Sequence, residues 1–212
     1  MKPKSLAQWF REFRRHGVSR ASRMSDKTVE TSDQITENFF QRIDLGEAAP
    51  VVARLQDMHF FTKEGYLVQG HRADWAGVDD RIAVFAARLI EALRRKGMPF
   101  YVHCALRSKM AQDDVFAKGF SKVRWPKGKH NQGFAVDIVH SHFHWELSRG
   151  EWNMVGRLGK NVARAMGLKV AWGGDWSFWD PAHWQLSDSG PPVPLQDIGR
   201  RTPRWILRHV SL

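Results

Sequence analysis

The chain has 212 residues, of which 42% are hydrophobic, and its formal net charge is +11. This length and apolar content exclude wholesale disorder and suffice for one well-buried domain with terminal extensions. The single cysteine, Cys104, excludes an intramolecular disulfide framework and a multi-cysteine zinc site, so a metal would need histidine and carboxylate ligands.

The positive charge is concentrated at the two ends of the chain. Residues 1–23 contain seven Lys or Arg against one Glu, and the last residues include Arg200, Arg201, Arg204 and Arg208. Such segments attract nucleic acid, anionic lipid or the acidic polymers of a bacterial envelope. Trp9 and Trp205 can stack on bases, which keeps a nucleic-acid binder as an alternative. Because no nucleic-acid motif is recognisable, we expect no specific nucleic acid and favour an anionic envelope.

The first predicted element is a short basic helix after Ser5, with an aromatic face, that stops at Gly17. It is either an anchor at a membrane or envelope surface or a helix docked on the domain. A second helix is predicted at Ser32–Ile43. The N-terminus lacks the apolar core of a classical signal peptide, so a target in the cell wall implies another route of delivery.

The middle of the chain alternates helices with short strands. Helices are predicted from Asp79 to Gly97, at Ser108–Lys118 and at Glu151–Met166, and strands at Met98–Leu106, Gly133–Val139, Leu168–Trp172 and His183–Leu186. This mixture indicates an α+β fold. The predicted organisation is an N-terminal basic and helical extension at 1–75, a catalytic domain at 76–190 and a basic C-terminal tail at 191–212.

Two stretches carry histidine and carboxylate residues at spacings typical of a hydrolase. They are His130-Asn-Gln-Gly-Phe-Ala-Val-Asp137 and Trp172-Gly-Gly-Asp-Trp-Ser-Phe-Trp-Asp-Pro-Ala-His183. A catalytic zinc takes three protein ligands and keeps one position for water. His130, Asp137 and His183 can form such a set, although it would also accept other divalent ions. Asp180 would then be free to take the proton of the water.

Together with Arg107-Ser108 and Gln112, these stretches resemble the zinc peptidase family of D-alanyl-D-alanine carboxypeptidases and L-alanyl-D-glutamate endopeptidases, which includes many phage endolysins. The three sequence blocks occur in the family's order, between Val78 and Leu186. Two positions depart from its pattern. Gly128 replaces the usual Ser before the first zinc ligand, and Ala105-Leu106 replaces a Gly-aromatic pair; both can alter substrate fit.

The resemblance implies a Hedgehog/DD-peptidase-like fold, with a small antiparallel sheet flanked by helices. The N-terminal helical extension lies outside the resemblance and is predicted from the helical spacing of its apolar residues. The resemblance also implies Zn²⁺ as cofactor. Its ligands would be His130, Asp137 and His183, with Asp180 as the base and Arg107 as an electrostatic clamp on a carbonyl or carboxylate oxygen. Substrate-binding or orienting roles fall to Ser108, Gln112, Asp175 and Trp176, and Asp175 can equally be a simple turn carboxylate.

The expected function is therefore a zinc metallopeptidase that hydrolyses peptidoglycan stem peptides, as an L-alanyl-D-glutamate endopeptidase of the endolysin type acting on the cell wall. The alternatives are a D-alanyl-D-alanine carboxypeptidase and a non-catalytic wall-binding module of the same fold. A carboxypeptidase needs a cationic partner for the substrate C-terminus, and the sequence does not identify one. No Walker P-loop is present, so no nucleotide cofactor is expected.

Other candidate residues carry weaker signals. His140, His142 and His144 alternate and would face one way in a strand, but no carboxylate has partner spacing, so we interpret them as a polar strand end or loop. Cys104 shows no sign of being a nucleophile. Five tryptophans surround the proposed site, some expected in the cleft wall and others in the core: Trp125, Trp172, Trp176, Trp179 and Trp184.

Overall fold

The computed structural model describes residues 53–188. In chain order its elements are a 3-10 helix (Phe60–Thr62), α1 (Glu64–Gly70), α2 (Asp80–Arg95), β1 (Phe100–Cys104), α3 (Lys109–Ala117), β2 (Ala135–His140), α4 (Arg149–Met166), β3 (Val170–Trp172), a 3-10 helix (Gly173–Asp175) and β4 (His183–Leu186). The helices predicted after Ser5 and at Ser32–Ile43, and the tail at 191–212, lie outside the described residues. Within residues 53–188 no helix combines the length and apolarity that crossing a membrane requires.

The strands form one four-stranded sheet in the order β1-β2-β4-β3, and every neighbouring pair is antiparallel. Helix α2 packs on β1 and β2, while α4 packs on α2 and β3. The expected α+β fold with a small antiparallel sheet and flanking helices is confirmed.

The register of β2 and β4 separates the core from the site. Val136 pairs with Trp184, and the next pair is Asp137 with His183. Directly opposed residues share a face and successive pairs alternate between faces. Trp184 packs on α4, so the Asp137–His183 pair projects from the opposite face of the sheet.

The two long helices begin and end at the residues that their sequences favour. The Asp79 side chain caps α2 by accepting a hydrogen bond from the Arg81 amide. Helix α4 begins with a capping box between Ser148 and Glu151, which brings its start two residues ahead of the predicted one. It ends at Gly167, whose φ of 67° lies in the left-handed region that glycine adopts without strain.

The strand predicted at Met98–Leu106 is shorter in the structure, where it spans Phe100–Cys104. At its start, Met98 still bonds to the last turn of α2, and Pro99 has no amide hydrogen for the ladder. At its end, the register shifts between Val102 and Cys104, and the amide of Leu106 donates to a loop carbonyl. The irregularity frees the backbone after β1 to turn toward the site.

Residues 53–75, which the predicted organisation assigns to the N-terminal extension, pack on the same core as the rest. Leu55 and Trp75 are fully or almost fully buried. The Tyr66 hydroxyl is 3.2 Å from the carbonyl oxygen of Phe100, the first residue of β1. This segment therefore packs on β1 and on the end of β2.

Candidate metal centre

Three side chains from β2, β4 and the loop before β2 converge on one point. His130 Nε2 lies 3.0 Å from Asp137 Oδ1 and 3.1 Å from His183 Nδ1, and the latter two atoms are 3.1 Å apart. Each residue is at most 8% exposed. Ligand atoms at tetrahedral positions around zinc, with bonds of about 2.0–2.1 Å, stand about 3.3–3.4 Å apart. The triangle therefore has nearly the dimensions of one face of such a site.

The outer nitrogen of each imidazole is hydrogen-bonded, which fixes what the inner nitrogen presents. His130 Nδ1 is 2.8 Å from the carbonyl oxygen of Ala105, and since that oxygen only accepts, Nδ1 carries the proton. His183 Nε2 donates to Gln185 Oε1 at 3.1 Å. In the neutral rings both inner nitrogens thus turn lone pairs toward Asp137 Oδ1. Three acceptors facing one point need a cation or a proton between them, and this outer bonding is typical of metal-bound histidine.

The titration behaviour of the site follows from the same packing. Burial lowers the pKa of His130, but Asp137 opposes this and raises it to about 10. Burial also raises the pKa of the Asp137 carboxyl, yet His130 and His183 hold it well below its usual range. In the metal-free protein a proton therefore occupies the place between the acceptors, and a metal that binds there displaces it.

Arg107 holds the outer oxygen of Asp137. Its Nη2 donates to Asp137 Oδ2 at 2.9 Å, and its Nη1 lies 3.4 Å from Gln112 Oε1. Gln112 is buried and donates through Nε2 to Ser121 Oγ at 2.9 Å and to the Val123 carbonyl at 2.7 Å. Arg107 thus orients the carboxylate of a candidate metal ligand, and Gln112 connects Arg107 to the loop behind it. The predicted contact of Arg107 with a substrate oxygen stays a prediction.

Asp180 lies beside the metal centre in the loop that leads into β4. Its amide donates to the Gly173 carbonyl at 3.1 Å, and the His183 amide donates to the Asp180 carbonyl at 3.1 Å. A Cβ on Gly173 would lie only 2.2 Å from the Asp180 carbonyl oxygen, so this close approach requires glycine. Burial and the negative charge of Asp137 raise the pKa of the Asp180 carboxyl, which suits a group that accepts and returns a proton.

The loop around Gly128 has no room for a side chain at this position unless Asn131 moves. A Cβ on Gly128 would lie 2.6 Å from Asn131 Oδ1, which accepts a hydrogen bond from the Gly128 amide at 3.2 Å. Asn131 Nδ2 in turn donates to the Arg107 carbonyl at 3.0 Å. The amide of Asn131 occupies the space of a side chain at 128 and links this loop to Arg107.

Cys104 offers a second set of ligand atoms. Its Sγ, a His130 ring nitrogen and an Asp137 oxygen all lie within 4.8 Å of one another. However, Sγ is 3.7 Å from His130 Nδ1, the nitrogen that bonds to the Ala105 carbonyl. The triangle with His183 is tighter and uses the inner nitrogen, so it fits an ion better. Cys104 is a neighbour of the centre, placed opposite Asp137 by the β1–β2 register.

The remaining predicted site residues divide into two groups. The Trp176 ring lies 5.2 Å from the His183 ring and covers one side of the centre. The Ser108 hydroxyl caps α3 by accepting from that helix's backbone. The Asp175 carboxylate pairs with Lys160 at 2.6 Å on the surface. Trp176 thus lies at the centre and Gln112 contacts it only through Arg107, whereas the Ser108 and Asp175 side chains have structural partners.

The five tryptophans divide by burial. Trp172 and Trp184 are buried and stack with their ring centroids 5.8 Å apart. The other three are 36–39% exposed: Trp125, Trp176 and Trp179. The exposed members can contact a ligand, and the buried pair belongs to the core.

The three alternating histidines do not share a site. His140 ends β2, is buried and lies with Nε2 2.9 Å from the Leu55 carbonyl oxygen. In the turn that follows, His142 pairs with Asp57 at 3.1 Å and His144 approaches the Tyr101 hydroxyl at 3.2 Å. The interpretation as a strand end and loop agrees with this arrangement.

Gln185 is a functional residue that the sequence reasoning missed. It stands two residues after His183 in β4, and alternate residues of a strand share a face. That period of two is a usable signal, because the partner of a metal-ligand histidine is often a nearby acceptor. The Ala105 carbonyl had no such signal, since its place depends on the fold of the loop after β1.

No protein-family model matches the chain, and no curated protein sequence does. Among solved structures, the chain is similar to the L-Ala D-Glu endopeptidase ChiX of Serratia marcescens, with 26% sequence identity and a TM-score of 0.42. The alignment covers 53% of this chain and 83% of that protein.

Proposed function

We propose that the protein is a zinc-dependent peptidoglycan peptidase, specifically an L-alanyl-D-glutamate endopeptidase of the endolysin type that hydrolyses stem peptides in the bacterial cell wall. One observation carries the proposal. His130 Nε2, Asp137 Oδ1 and His183 Nδ1 lie within 3.1 Å of one another, with their outer atoms already bonded, and Asp180 precedes His183 in a loop where its carbonyl accepts from the His183 amide at 3.1 Å. The order of the three sequence blocks supports peptidoglycan as the substrate.

The donor set fits zinc. Two imidazole nitrogens and one carboxylate oxygen are common ligands of catalytic zinc, and His130, Asp137 and His183 would hold it here. Bound zinc would supply Lewis acidity and lower the pKa of water to about 7. The outer bonds to Ala105 and Gln185 keep both rings in the orientation and tautomer that a metal needs.

Asp180 is the general base that transfers the proton of the attacking water. Burial and the negative charge of Asp137 raise the pKa of the Asp180 carboxyl. A carboxylate with a raised pKa is a better base, so Asp180 can take a proton from the attacking water. It then returns the proton to the leaving amine as the peptide bond breaks. Its place in the tight loop between Gly173 and His183 keeps it outside the ligand set.

Arg107 stabilises charge on two sides. It donates through Nη2 to Asp137 Oδ2, which keeps this carboxylate correctly turned. A guanidinium has five N–H donors in a fixed fork, so others remain to hold the carbonyl oxygen of the substrate as negative charge develops there.

The surroundings suit a peptide in an anionic envelope. Trp176 exposes ring surface beside the centre, against which the alkyl parts of a stem peptide can pack. The basic residues of segments 1–23 and 200–208 would concentrate the enzyme on anionic polymers or lipids of the envelope.

Digestion of purified peptidoglycan tests the proposal. Wild type, Asp180→Asn and Asp175→Asn proteins are loaded with zinc, their metal content is measured, and the products are identified by mass spectrometry. Asp175→Asn removes the same charge from a surface ion pair and serves as the matched control. We expect wild type and Asp175→Asn to release peptides with a new N-terminal D-Glu, and Asp180→Asn to bind zinc without cutting.

Each other outcome has a definite meaning. Release of D-Ala would make the enzyme a D-alanyl-D-alanine carboxypeptidase. Zinc and wall binding without product from any variant would make it a non-catalytic wall-binding module. Full activity of Asp180→Asn would remove Asp180 from its proposed role.

A further inference from the structure

A second polar cluster lies next to the metal centre, and we call it the arginine cluster. It consists of Arg72, Tyr101, His103 and His144. Arg72 Nη2 is 3.3 Å from His103 Nε2. The Tyr101 hydroxyl is 3.3 Å from His103 Nδ1 and 3.2 Å from His144 Nδ1. The four side chains therefore form one continuous row.

Arg72 sets the direction of every bond in this row. A guanidinium only donates, so His103 Nε2 accepts, and the proton of the neutral ring sits on Nδ1. That N–H donates to the Tyr101 oxygen, whose own proton is then given to His144. Burial and the charge of Arg72 lower the pKa of His103 to about 4, so the ring stays neutral and does not repel the arginine.

The backbone of His144 shows that the row is held in place. Its φ is 49°, and it is the only non-glycine residue between 53 and 188 with a positive φ. Such residues persist where the surrounding structure over-determines them, and they occur often at binding sites. Here the bridge to His140 and the contact with Tyr101 hold the turn.

Most N–H donors of the Arg72 guanidinium are available to a ligand. It is exposed, and its contact with His103 uses one of five N–H donors. No carboxylate within residues 53–188 forms an ion pair with it, in contrast to Arg81 and Arg107. A guanidinium that a neutral ring contacts at one nitrogen is suited to bind a carboxylate through paired hydrogen bonds from its other N–H groups.

The cluster lies within reach of a peptide bound at the metal centre. His103 directly precedes Cys104, which pairs with Asp137 across β1 and β2. Tyr101 pairs with Val139, two residues beyond Asp137, which is about 7 Å along a strand. An extended peptide covers this distance in about two residues.

We propose that Arg72, positioned by His103, Tyr101 and His144, binds a carboxylate of the substrate peptide one or two residues from the bond that is cut. This inference rests on the proposed function and deepens it, because it assigns the charge of the substrate. Trp145 is 45% exposed, and its ring lies 4.6 Å from that of His103. Its indole face can pack on the alkyl part of the same substrate residue.

The test compares a soluble stem peptide with analogues in which each carboxylate in turn is converted to a carboxamide. The variants are Arg72→Gln and, as the matched control for loss of one charge, Arg164→Gln on the surface of α4. We expect Arg72→Gln to raise KM about 10- to 100-fold, as loss of a charged hydrogen-bond pair does, with kcat nearly unchanged. One amidated analogue should raise the wild-type KM equally and show no further effect of Arg72→Gln.

Tyr101→Phe tests the positioning. It removes the link between His103 and His144, so we expect a smaller rise in KM that disappears with the same amidated analogue. A merely structural defect would affect all peptides alike. Equal KM values for wild type and Arg72→Gln, or an Arg72→Gln effect that persists on every amidated analogue, would overturn the inference.

Calorimetric binding of the same peptides to zinc-loaded Asp180→Asn protein, with and without Arg72→Gln, separates this inference from the proposed function. Binding that depends on Arg72 in a protein whose wild type cuts no peptide supports the subsite and refutes the peptidase. If wild type cuts the peptide but Arg72→Gln leaves the binding affinity unchanged, the peptidase is supported and the subsite is refuted. Absence of binding in both proteins refutes the subsite.

Discussion

His183 stands directly across from Asp137 in the β2–β4 register, and its Nδ1 lies 3.1 Å from Asp137 Oδ1. The ladder that holds the sheet together therefore also sets the distance between two of the three candidate metal ligands. Only His130 reaches the centre from a loop, and its ring is fixed by the Ala105 carbonyl. Paired strands hold these acceptor atoms rigidly. Such a fixed arrangement of acceptors suits the binding of a metal ion.

The first prediction concerns metal and stability. A ligand that binds only the folded state adds about 2.7 kcal/mol at one hundred times its Kd, which is about 5–10 °C in Tm for a chain of this size. We expect zinc to raise the Tm of wild type by this amount and that of His183→Ala by much less. His71→Ala, at an exposed histidine, is the control. An equal rise in all three proteins would show that zinc binds elsewhere.

The second prediction concerns the partner of His183. Gln185→Leu removes the acceptor of the His183 Nε2 proton, so the ring loses its fixed tautomer and part of its basicity. We expect zinc affinity to fall about 10- to 100-fold, measured by competition with a chromophoric chelator. Gln185→Glu keeps an acceptor at this place and should bind zinc at least as tightly as wild type. Equal losses in both variants would contradict this role.

The third prediction concerns His140 and acid stability. Its Nε2 bonds to the Leu55 carbonyl and its Nδ1 accepts from two backbone amides, and burial lowers its pKa to about 4. The unfolded chain takes up this proton near pH 6.5, before the folded protein does. Folding free energy from this group is therefore complete above about pH 6.5 and is lost progressively as the pH falls toward about 4.

Urea unfolding of the metal-free protein at pH 7 and pH 5 measures this loss. His140→Gln keeps a donor and an acceptor but cannot titrate, so its free energy of unfolding should fall less between the two pH values than that of wild type. Both proteins share the remaining histidines, so the difference isolates residue 140. Parallel pH profiles would refute the assignment.

The secondary structure could be predicted largely from local signals. Asp79 as a helix cap and Gly97 and Gly167 as stops lie where their chemistry requires, with φ of 78° and 67° at the glycines. The ends of the strands are harder to predict, because the limits of β1 depend on a neighbouring helix turn and on a register shift after Val102. Such limits are set by the partner strand, which a single sequence does not show.

The residues of the candidate site also differ in how far the sequence predicts them. The ligand set and Asp180 could be proposed because their spacing lies within two short motifs. The roles of Cys104, Arg72 and His103 could not, because they depend on which β1 residue faces Asp137 and on a segment some thirty residues earlier in the chain. The metal centre could thus be proposed from local order, whereas its surroundings required the register.

The last prediction concerns the packing behind the site. A Cβ on Gly159 of α4 would lie 2.1 Å from the buried ring of Trp184, the neighbour of His183 in β4. We expect Gly159→Ala to cost about 1–3 kcal/mol of unfolding free energy, since the ring cannot move without disturbing the sheet. Gly150→Ala in the same helix meets no atom closer than 4.0 Å and should be neutral or up to about 1 kcal/mol more stable. Urea unfolding measures both. If zinc affinity falls with Gly159→Ala alone, the pressure on Trp184 also displaces His183, whereas unchanged affinity would show that the sheet shields the metal centre from its core.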